Sequence, residues 1–290
     1  MSAGAAPSGE QLAELCRAAL REARRHADEA EALAVHTAAG LTRFANSFIH
    51  QNVAEETVSL QLRVLRGGRT ATASTTRLDA AGLAELATAA AAAANARPVD
   101  PSWPGFAPPE PAPDPGHWDA ATADAGPDQR AALVAAFVAA GAGLAAAGYC
   151  DTEARTAALC STTGHEVWGR TTRATIDGIQ QGGGVAGSAH ATSIRVADLD
   201  GAAAGELAAG RARRGLDAAD LAPGEYEVVL EPECVATIAV FLGFEAFSAK
   251  AVAEGRSGIR LGEAAFDPAF ALVDDARAPG SPALAFDAEG

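Results

Sequence analysis

Residues 224–250 read GEYEVVLEPECVATIAVFLGFEAFSAK, and this stretch decides how the chain is interpreted. Residues 225–231 alternate between apolar side chains at even positions and mostly acidic ones at odd positions, the period of two typical of a β-strand. Pro232 fits the first turn of a helix, where its missing N–H costs no hydrogen bond. Between residues 234 and 249 only Glu245 is charged, and a helix so apolar on all sides is typical of a protein interior. The stretch therefore predicts a strand that leads directly into a buried helix.

The same helix carries a resemblance to a known family. FLGFEAFSAK at residues 241–250 and AVAEGRS at 251–257 are similar to the PmbA branch of the TldD/PmbA family, the "modulator of gyrase" peptidase-related proteins. The metal-binding TldD branch has His-Glu-x-x-x-His on this helix. The corresponding surface here has apolar residues without any of the imidazole, thiolate or carboxylate groups that bind zinc; they are Val240, Phe241, Leu242, Gly243 and Phe244. The resemblance therefore implies that this chain is the subunit that does not hold the metal.

The resemblance extends over nearly the whole chain from Leu41 onward. It includes RFANSFIHQ at residues 43–51, LRGGR at 65–69, and the segments 274–275 and 286–290, which resemble the entry to the family's C-terminal sheet. Members of the family continue well beyond this point, and the metal-binding branch takes a cysteine ligand from that later portion. The resemblance thus leads us to expect a truncated form of the family's architecture.

An α+β fold is expected, with four segments along the 290 residues. Residues 1–97 predict a unit of helix and antiparallel sheet, and residues 98–118 a Pro-rich connector whose aromatic residues pack onto the protein. Residues 119–222 predict a second, mixed α/β unit. Residues 223–290 would begin an incomplete, β-rich C-terminal domain.

Local signals predict the individual elements. Ser8 and Gln11 form a capping-box pattern before a helix that ends near His26, and Asp79 and Asp200 can cap helices that end near Ala96 and Arg214. Gly67-Gly68 indicates a hairpin turn. The predicted strands are 32–37, 41–49, 56–65, 69–75, 149–160, 166–176 and 185–196.

Charge and cysteine content narrow the class of protein. The net charge of −15 repels phosphate backbones, so direct nucleic-acid binding is disfavoured. The four cysteines are scattered without a C-x-x-C pair, which favours buried free thiols in a reducing cytosol. The N-terminus lacks the pattern of a signal peptide. These features predict a cytoplasmic protein.

Residues 131–150 contain no charge and imitate a membrane span. Alanine and glycine supply most of the stretch, however, and the strongly apolar residues fall largely on one face of a helix. We therefore expect an amphipathic helix of a soluble protein and no contact with a membrane.

Two motif-like patterns have simpler interpretations. His165-Glu166 is the only His-Glu pair, and the positions that would need a second histidine are Gly169 and Arg170, so a surface pair beside a turn is expected. Residues 182–187 fit G-x-G-x-x-G, but a strand and not a helix is predicted after them. A glycine hairpin is therefore favoured over a dinucleotide site.

Four residues near the end of the apolar helix are the candidate substrate-binding residues: Phe244, Glu245, Phe247 and Ser248. Glu245 is a carboxylate in an apolar setting and must be exposed, paired or protonated. It either pairs with a cation of the protein or binds peptide amines. No catalytic residue and no metal ligand is assigned in this chain. Arg43, Asn46 and His50 alternate imperfectly along a strand and are weaker candidates.

By resemblance, the chain would partner a zinc-bearing TldD-like subunit in a cytosolic peptidase that acts on short or unfolded peptides. In such an enzyme zinc polarises the scissile carbonyl and activates water. This chain would contribute peptide-binding walls and no metal. Two alternatives remain open: a stand-alone peptide-binding or scaffold protein without a peptidase role, and an independent hydrolase with a site beyond residue 290.

Overall fold

The structure, a computed structural model, describes residues 6–216 and 218–290. The chain divides into two compact units. Unit 1 comprises Met1–Ala218 together with Ala276–Gly290, and unit 2 comprises Ala219–Asp275.

Unit 1 is built on one antiparallel sheet with helices on one face. Its helices are α1 (Gly9–Ala23), α2 (Ala80–Asn95), α3 (Ala120–Ala123), α4 (Pro127–Ala140) and α5 (Gly201–Gly215). Its strands are β1 (Glu29–Ala45), β2 (Phe48–Arg66), β3 (Arg69–Thr75), β4 (Ala145–Ser161), β5 (Glu166–Gly182) and β6 (Val185–Ser193). The sheet order is β3-β2-β1-β4-β5-β6, and every neighbouring pair is antiparallel. The α+β class is confirmed.

Side-chain caps start α1, α2 and α5 where the sequence predicts them. Ser8 Oγ accepts from the Gln11 N–H at 3.2 Å while Gln11 Oε1 accepts from the Ser8 N–H at 2.8 Å, a complete capping box. Asp79 accepts from the Gly82 N–H at 2.7 Å and Asp200 from the Ala203 N–H at 3.0 Å. These bonds satisfy N–H groups that a helix start leaves without partners.

The first hairpin differs from the predicted one. β1 runs without a break through Gly40, and its turn to β2 is made by Asn46 and Ser47, both with positive φ (50° and 65°). The prediction of separate strands at 32–37 and 41–49 was wrong. Gly40 lies between Ala54 of β2 and Thr152 of β4, and strand pairing on both sides holds its backbone extended.

The apolar stretch 131–150 forms two elements instead of one helix. α4 ends at Ala140, and β4 begins at Ala145, so the expected helix to Cys150 was wrong. Ala142 (φ 36°) and Gly143 (φ 89°) adopt a left-handed conformation that ends the helix. Tertiary pairing of β4 with β5 then overrides the helix propensity of the following alanines. Within residues 6–216 and 218–290, no helix combines the length and apolarity needed to cross a membrane.

The helices cover the two ends of one sheet face. α1 and α2 pack on one end, where the sheet contributes Ala32, Ala34, Leu60, Leu62, Val64 and Ala158. α4 and α5 pack on the other end, where the sheet contributes Phe44, Ala146, Cys150, Ala174, Ile176 and Ala189.

The opposite sheet face is covered by irregular segments. Leu33, Leu159 and Val167 pack there against Leu284 and Phe286 of the C-terminal segment. The expected packing of the connector is confirmed, since Phe106 is buried and its ring lies edge-on to Trp103, 5.4 Å away.

Arg63 links these segments to the sheet. Its guanidinium donates to Glu31 Oε1 and Glu289 Oε1, both at 2.6 Å, and lies over the rings of Trp103 and Phe106. Glu31 is buried at 3% exposure, and this burial raises the pKa of its carboxyl even though Arg63 opposes the shift.

Glu31→Gln should change how stability depends on pH. A carboxyl whose pKa is higher in the folded than in the unfolded chain contributes stability below the unfolded pKa, and this contribution is lost as pH rises through the folded pKa. From about pH 4 upward, the free energy of unfolding of the natural protein should therefore fall relative to that of the variant. Urea denaturation between about pH 4 and 7.5 measures the difference; parallel pH profiles would contradict the expectation.

The glycine-rich segment 182–187 is a hairpin, as predicted. Gly182 pairs with Val185 across a turn in which Gly183 and Gly184 have positive φ (61° and 82°). Because β6 and not a helix follows, helix N–H groups are absent at this turn, and the dinucleotide interpretation is excluded.

Unit 2 contains α6 (Pro232–Glu245) and α7 (Ala249–Ala253), joined to irregular segments. The strand predicted for residues 225–231 was wrong, because a strand needs a hydrogen-bonded neighbour and the described part of unit 2 contains none. The described residues of 223–290 form no strand at all, so the expected start of a β-rich domain, including the segments 274–275 and 286–290, is not observed.

Candidate functional site

Helix α6 begins and ends as its sequence predicts. Pro232 occupies the first turn, with Glu231 as the N-cap residue and Glu233 adding negative charge to the favourable end of the helix dipole. The helix ends after Glu245, where the N–H groups of Ala246 and Phe247 both bond to the carbonyl of Leu242.

The expected burial of α6 was wrong. No residue of this helix is buried, and the side chains of Phe241 and Phe244 are 64% and 73% exposed. Unit 2 offers only the short α7 and irregular segments, which do not surround an apolar helix. A contiguous exposed apolar surface of this kind is typical of a site that binds a protein or a peptide.

The structure places the four predicted site residues in one turn-and-linker region. Phe244 and Glu245 end α6, Phe247 lies in the linker, and Ser248 is the N-cap residue of α7 without a side-chain cap bond. Ser248 accepts from the Val252 N–H through its carbonyl at 3.1 Å. Whether these residues bind a peptide remains a prediction.

Glu245 has a cationic neighbour. Its Oε2 lies 3.8 Å from Nη1 of Arg256, and its side chain is 75% exposed. Arg256 makes a shorter contact, 2.8 Å, with Glu254. The contact with Glu245 is therefore a weak, solvated ion pair, which leaves this carboxylate accessible to a ligand.

Two aromatic residues that the sequence interpretation missed lie beside Phe247. The rings of Phe247 and Phe266 are 6.3 Å apart, and those of Phe266 and Phe270 are 5.1 Å apart. Phe266 and Phe270 lie in an irregular segment, where no helical or strand period marks a shared face. We call Phe247, Phe266 and Phe270 the aromatic cluster.

The donor set of α6 does not fit zinc. The positions that resemble the family's metal-binding surface, 240–244, carry hydrocarbon side chains or none. Across the part of the chain that the structure describes, no group of three or more His, Cys, Asp or Glu residues could hold a metal ion.

The other motif-like residues lie in unit 1. His165 is buried, not part of a surface pair as expected, and its Nδ1 accepts from the Glu110 N–H at 3.2 Å. Glu166 is exposed and pairs with Arg17. Asn46 forms the β1–β2 turn, with Arg43 and His50 on the flanking strands.

The cysteines differ in exposure. Cys16, Cys150 and Cys160 are buried, whereas Cys234 on the first turn of α6 is exposed, contrary to the expectation for all four. Burial raises the pKa of Cys150 to about 12. Hydrogen bonding with Cys160 and burial together raise the pKa of Cys16 far above its ordinary value. Of the four cysteines, only Cys234 is therefore accessible to solvent.

Native protein should react rapidly with one equivalent of a thiol reagent such as dithiobis-nitrobenzoate, and with four equivalents after unfolding. Cys234→Ser should abolish the rapid native reaction, which absorbance at 412 nm follows. Fast reaction of a second thiol in the folded protein, or persistence of the reaction in Cys234→Ser, would contradict the burial of the other three cysteines.

Comparisons with known proteins agree with this architecture. Residues 30–94 match the family model described as PmbA/TldA metallopeptidase domain 1, and residues 223–290 match that of the PmbA/TldA metallopeptidase C-terminal domain. Curated protein sequences yield no significant match.

Solved structures share the fold at low sequence identity. TldE from Thermococcus kodakarensis superposes with a TM-score of 0.60 at 13% identity over 69% of this chain and 47% of its own. A protein from Bacteroides thetaiotaomicron is described as a candidate modulator of DNA gyrase. It superposes with a TM-score of 0.64 at 18% identity over 71% of this chain and 50% of that protein. A similarly described protein from Thermotoga maritima superposes with a TM-score of 0.57 at 15% identity. The match covers 69% of this chain and 47% of that protein.

This chain spans about half the length of these structures. Their likeness establishes the fold. Two segments of this chain, residues 30–94 and 223–290, thus match domains of the PmbA/TldA metallopeptidase family.

Proposed function

We propose that this chain is the subunit without metal of a two-chain cytosolic peptidase, and that a TldD-like partner holds the zinc. One observation carries the proposal: the α6 surface that would need metal ligands presents exposed apolar side chains, with Phe244 73% exposed. An exposed apolar face of this size costs free energy in water unless something covers it. A partner subunit and a peptide are the two occupants that a peptidase provides.

The aromatic cluster and Glu245 would form the peptide-binding wall. Apolar peptide side chains can pack against Phe244 and Phe247, since aromatic surfaces contribute much of the energy of peptide recognition. The exposed carboxylate of Glu245, only weakly paired with Arg256, can accept a hydrogen bond from a peptide amine. Ser248 lies at the next position along this wall and can bond to the peptide backbone.

Charge argues for a peptide ligand over a nucleic acid. The net charge of −15 repels a phosphate backbone, which a DNA-binding protein would need to neutralise with lysine and arginine. The gyrase descriptions of the similar structures therefore do not lead us to propose DNA contact.

Co-expression with a TldD-like chain tests the proposal. We expect the two chains to elute together in size-exclusion chromatography, zinc to be present in the complex, and short unstructured peptides to be cleaved by the complex only. Full-length protein that alone binds one equivalent of zinc and cleaves peptides would overturn the proposal.

A pair of matched variants locates the contact. Phe244→Asp should abolish co-elution, because it places a charge in an apolar interface. Phe48→Asp is the control, since Phe48 is also an exposed phenylalanine, at 58%, but lies on β2. Protection of Cys234 from alkylation in the complex would support the same surface.

A stand-alone peptide-binding or scaffold protein is the other outcome. It would show tight binding of one peptide by this chain alone, without co-elution of the zinc-bearing chain and without cleavage. That result would reject the peptidase partnership while retaining the peptide-binding wall.

A further inference from the structure

A groove lies on the sheet of unit 1 beside α3 and the start of α4. Its floor consists of small residues at paired positions of three strands: Ala38 and Gly40 of β1, Ala54 of β2, and Thr152 and Ala154 of β4. Residues of α3 and the start of α4 form one wall. The cavity has a volume of about 290 Å³. This volume suits a ligand that is a few heavy atoms larger than a free amino acid.

A wall of this groove holds a buried cation. Arg130 of α4 is 3% exposed, and among the described residues no carboxylate forms an ion pair with it. Its Nη1 donates to the Ala125 carbonyl at 3.0 Å and to Thr152 Oγ1 at 2.9 Å, and its Nε donates to Thr42 Oγ1 at 3.3 Å. Burying a charge without a counter-ion is costly, so an anion would stabilise this arrangement.

Two donors of Arg130 remain for a ligand. A guanidinium has five N–H groups, and the three bonds above use one on Nε and two on Nη1. No acceptor among the described residues bonds to Nη2. The N–H groups of Nη2, at a cavity wall, can donate a charge-assisted hydrogen bond to a carboxylate oxygen.

Gly40 makes room for the guanidinium. A Cβ at this position would lie 2.3 Å from Nη1 and 2.7 Å from Nη2 of Arg130. The planar group therefore lies directly on the backbone of β1, and any side chain at position 40 would displace it. The absence of a side chain at Gly40 thus allows the guanidinium of Arg130 to lie at this position.

An acidic side chain lies at the other end of the groove. Glu56 pairs across the strands with Ala38, two residues along β1 from Gly40, which corresponds to about 7 Å. Its Oε1 bonds to His36 Nε2 at 2.9 Å, and the side chain is 65% exposed. The groove therefore has a cationic end at Arg130 and an anionic end at Glu56.

We propose that this groove binds a small zwitterion, a free amino acid or a dipeptide, with its carboxylate on Arg130 and its ammonium group on Glu56. The cavity volume suits a ligand of this size. A phosphate dianion is disfavoured, because Glu56 and a net charge of −15 oppose a second negative charge. The inference concerns unit 1 alone and does not depend on a peptidase partner.

Isothermal titration calorimetry on the full chain tests the site with L-alanyl-L-alanine as probe. N-acetyl-L-alanine retains the carboxylate without the ammonium group, L-alaninamide retains the ammonium group without the carboxylate, and inorganic phosphate tests a general anion site. We expect the dipeptide to bind about tenfold or more tightly than each of the three, since a charge-assisted hydrogen bond contributes at least that factor.

Variants separate the two ends. Arg130→Lys should weaken dipeptide binding by about tenfold to a hundredfold, because a lysine ammonium lacks the fixed, planar donors of the guanidinium. The side chain of Glu56 is exposed, so the variant Glu56→Gln should fold like the natural protein. This variant should weaken the binding of the dipeptide about tenfold and leave the binding of N-acetyl-L-alanine unchanged. Glu85→Gln is the matched control, since Glu85 is also an exposed carboxylate with one side-chain partner, Arg77.

Several results would overturn the proposal. They are the absence of dipeptide binding at tens of millimolar, equal or tighter binding of phosphate or N-acetyl-L-alanine, and an equal effect of Glu85→Gln and Glu56→Gln. Tryptophan fluorescence of Arg130→Lys checks folding, and if that variant is unfolded the outcome for Glu56→Gln decides.

Discussion

Phe137→Ala is expected to lower the free energy of unfolding of unit 1 by about 3–5 kcal/mol. The side chain of Phe137 is fully buried at 0% exposure between α4 and the sheet, and its ring lies 5.5 Å from that of Phe44. Its Cζ would lie only 2.8 Å from a Cβ at Gly178, so the ring fills the space above this glycine. Truncation leaves a cavity that this close-packed surrounding cannot fill.

Urea denaturation followed by tryptophan fluorescence measures this change, because Trp103, Trp118 and Trp168 all belong to unit 1. Phe48→Ala is the matched control. Phe48 is 58% exposed on the same sheet, so its truncation should cost about 0.5 kcal/mol or less. Equal losses in both variants would show that α4 does not pack on the sheet as described.

Gly187→Val is expected to destabilise unit 1 by about 3 kcal/mol, the upper end of the usual cost of overpacking. A Cβ at Gly187 of β6 would lie 2.3 Å from the Ala208 carbonyl oxygen and 2.4 Å from the Ala212 nitrogen. Both atoms belong to the backbone of α5, which cannot give way as a flexible side chain can. The helix would have to move away from the sheet.

The same urea titration checks this prediction, with near-ultraviolet circular dichroism to report on packing. Ser188→Val supplies the control, because Ser188 is the next residue of β6, is exposed and lies on the other sheet face. Unchanged stability in Gly187→Val would contradict the close approach of α5. The last glycine of the G-x-G-x-x-G pattern would then need another explanation than helix–sheet packing.

Local chemistry was sufficient to predict the capped helices and the glycine turns. Ser8, Asp79 and Asp200 each bond to backbone N–H groups within three residues, so their effect is contained in a short stretch of sequence. The turns at Gly67-Gly68 and Gly183-Gly184 need a positive φ that glycine adopts at no steric cost. These features depend on nothing distant in the chain.

Elements whose state depends on distant partners were predicted less well. Residues 145–150 resemble the preceding helix in composition, yet pairing with β5 makes them a strand. Residues 225–231 have a strand's alternation, yet no strand of the described residues lies beside them and they stay irregular. An alternating pattern indicates that a strand is possible, whereas hydrogen-bonded neighbours decide whether it forms.

The candidate sites also have a part that local sequence predicts and a part that depends on distant segments. The four residues at the end of α6 could be chosen from sequence, because they follow one another along a conspicuous apolar helix. Phe266 and Phe270 of the aromatic cluster could not, since they join Phe247 only through the irregular path of unit 2. The groove at Arg130 is formed by β1, β2, β4 and α4 together, and no stretch of sequence contains it.

The sequence by itself determined the α+β class, the resemblance to a family, the positions of the caps and turns, and the apolar residues where a relative would hold zinc. Each of these is a property of a residue or of a short segment. Only the tertiary structure decided that α6 is exposed, that six strands form one sheet, and that Arg130 lies on Gly40 without a carboxylate partner among the described residues. Burial and charge pairing are relations between distant segments, and they exist only once the chain has folded.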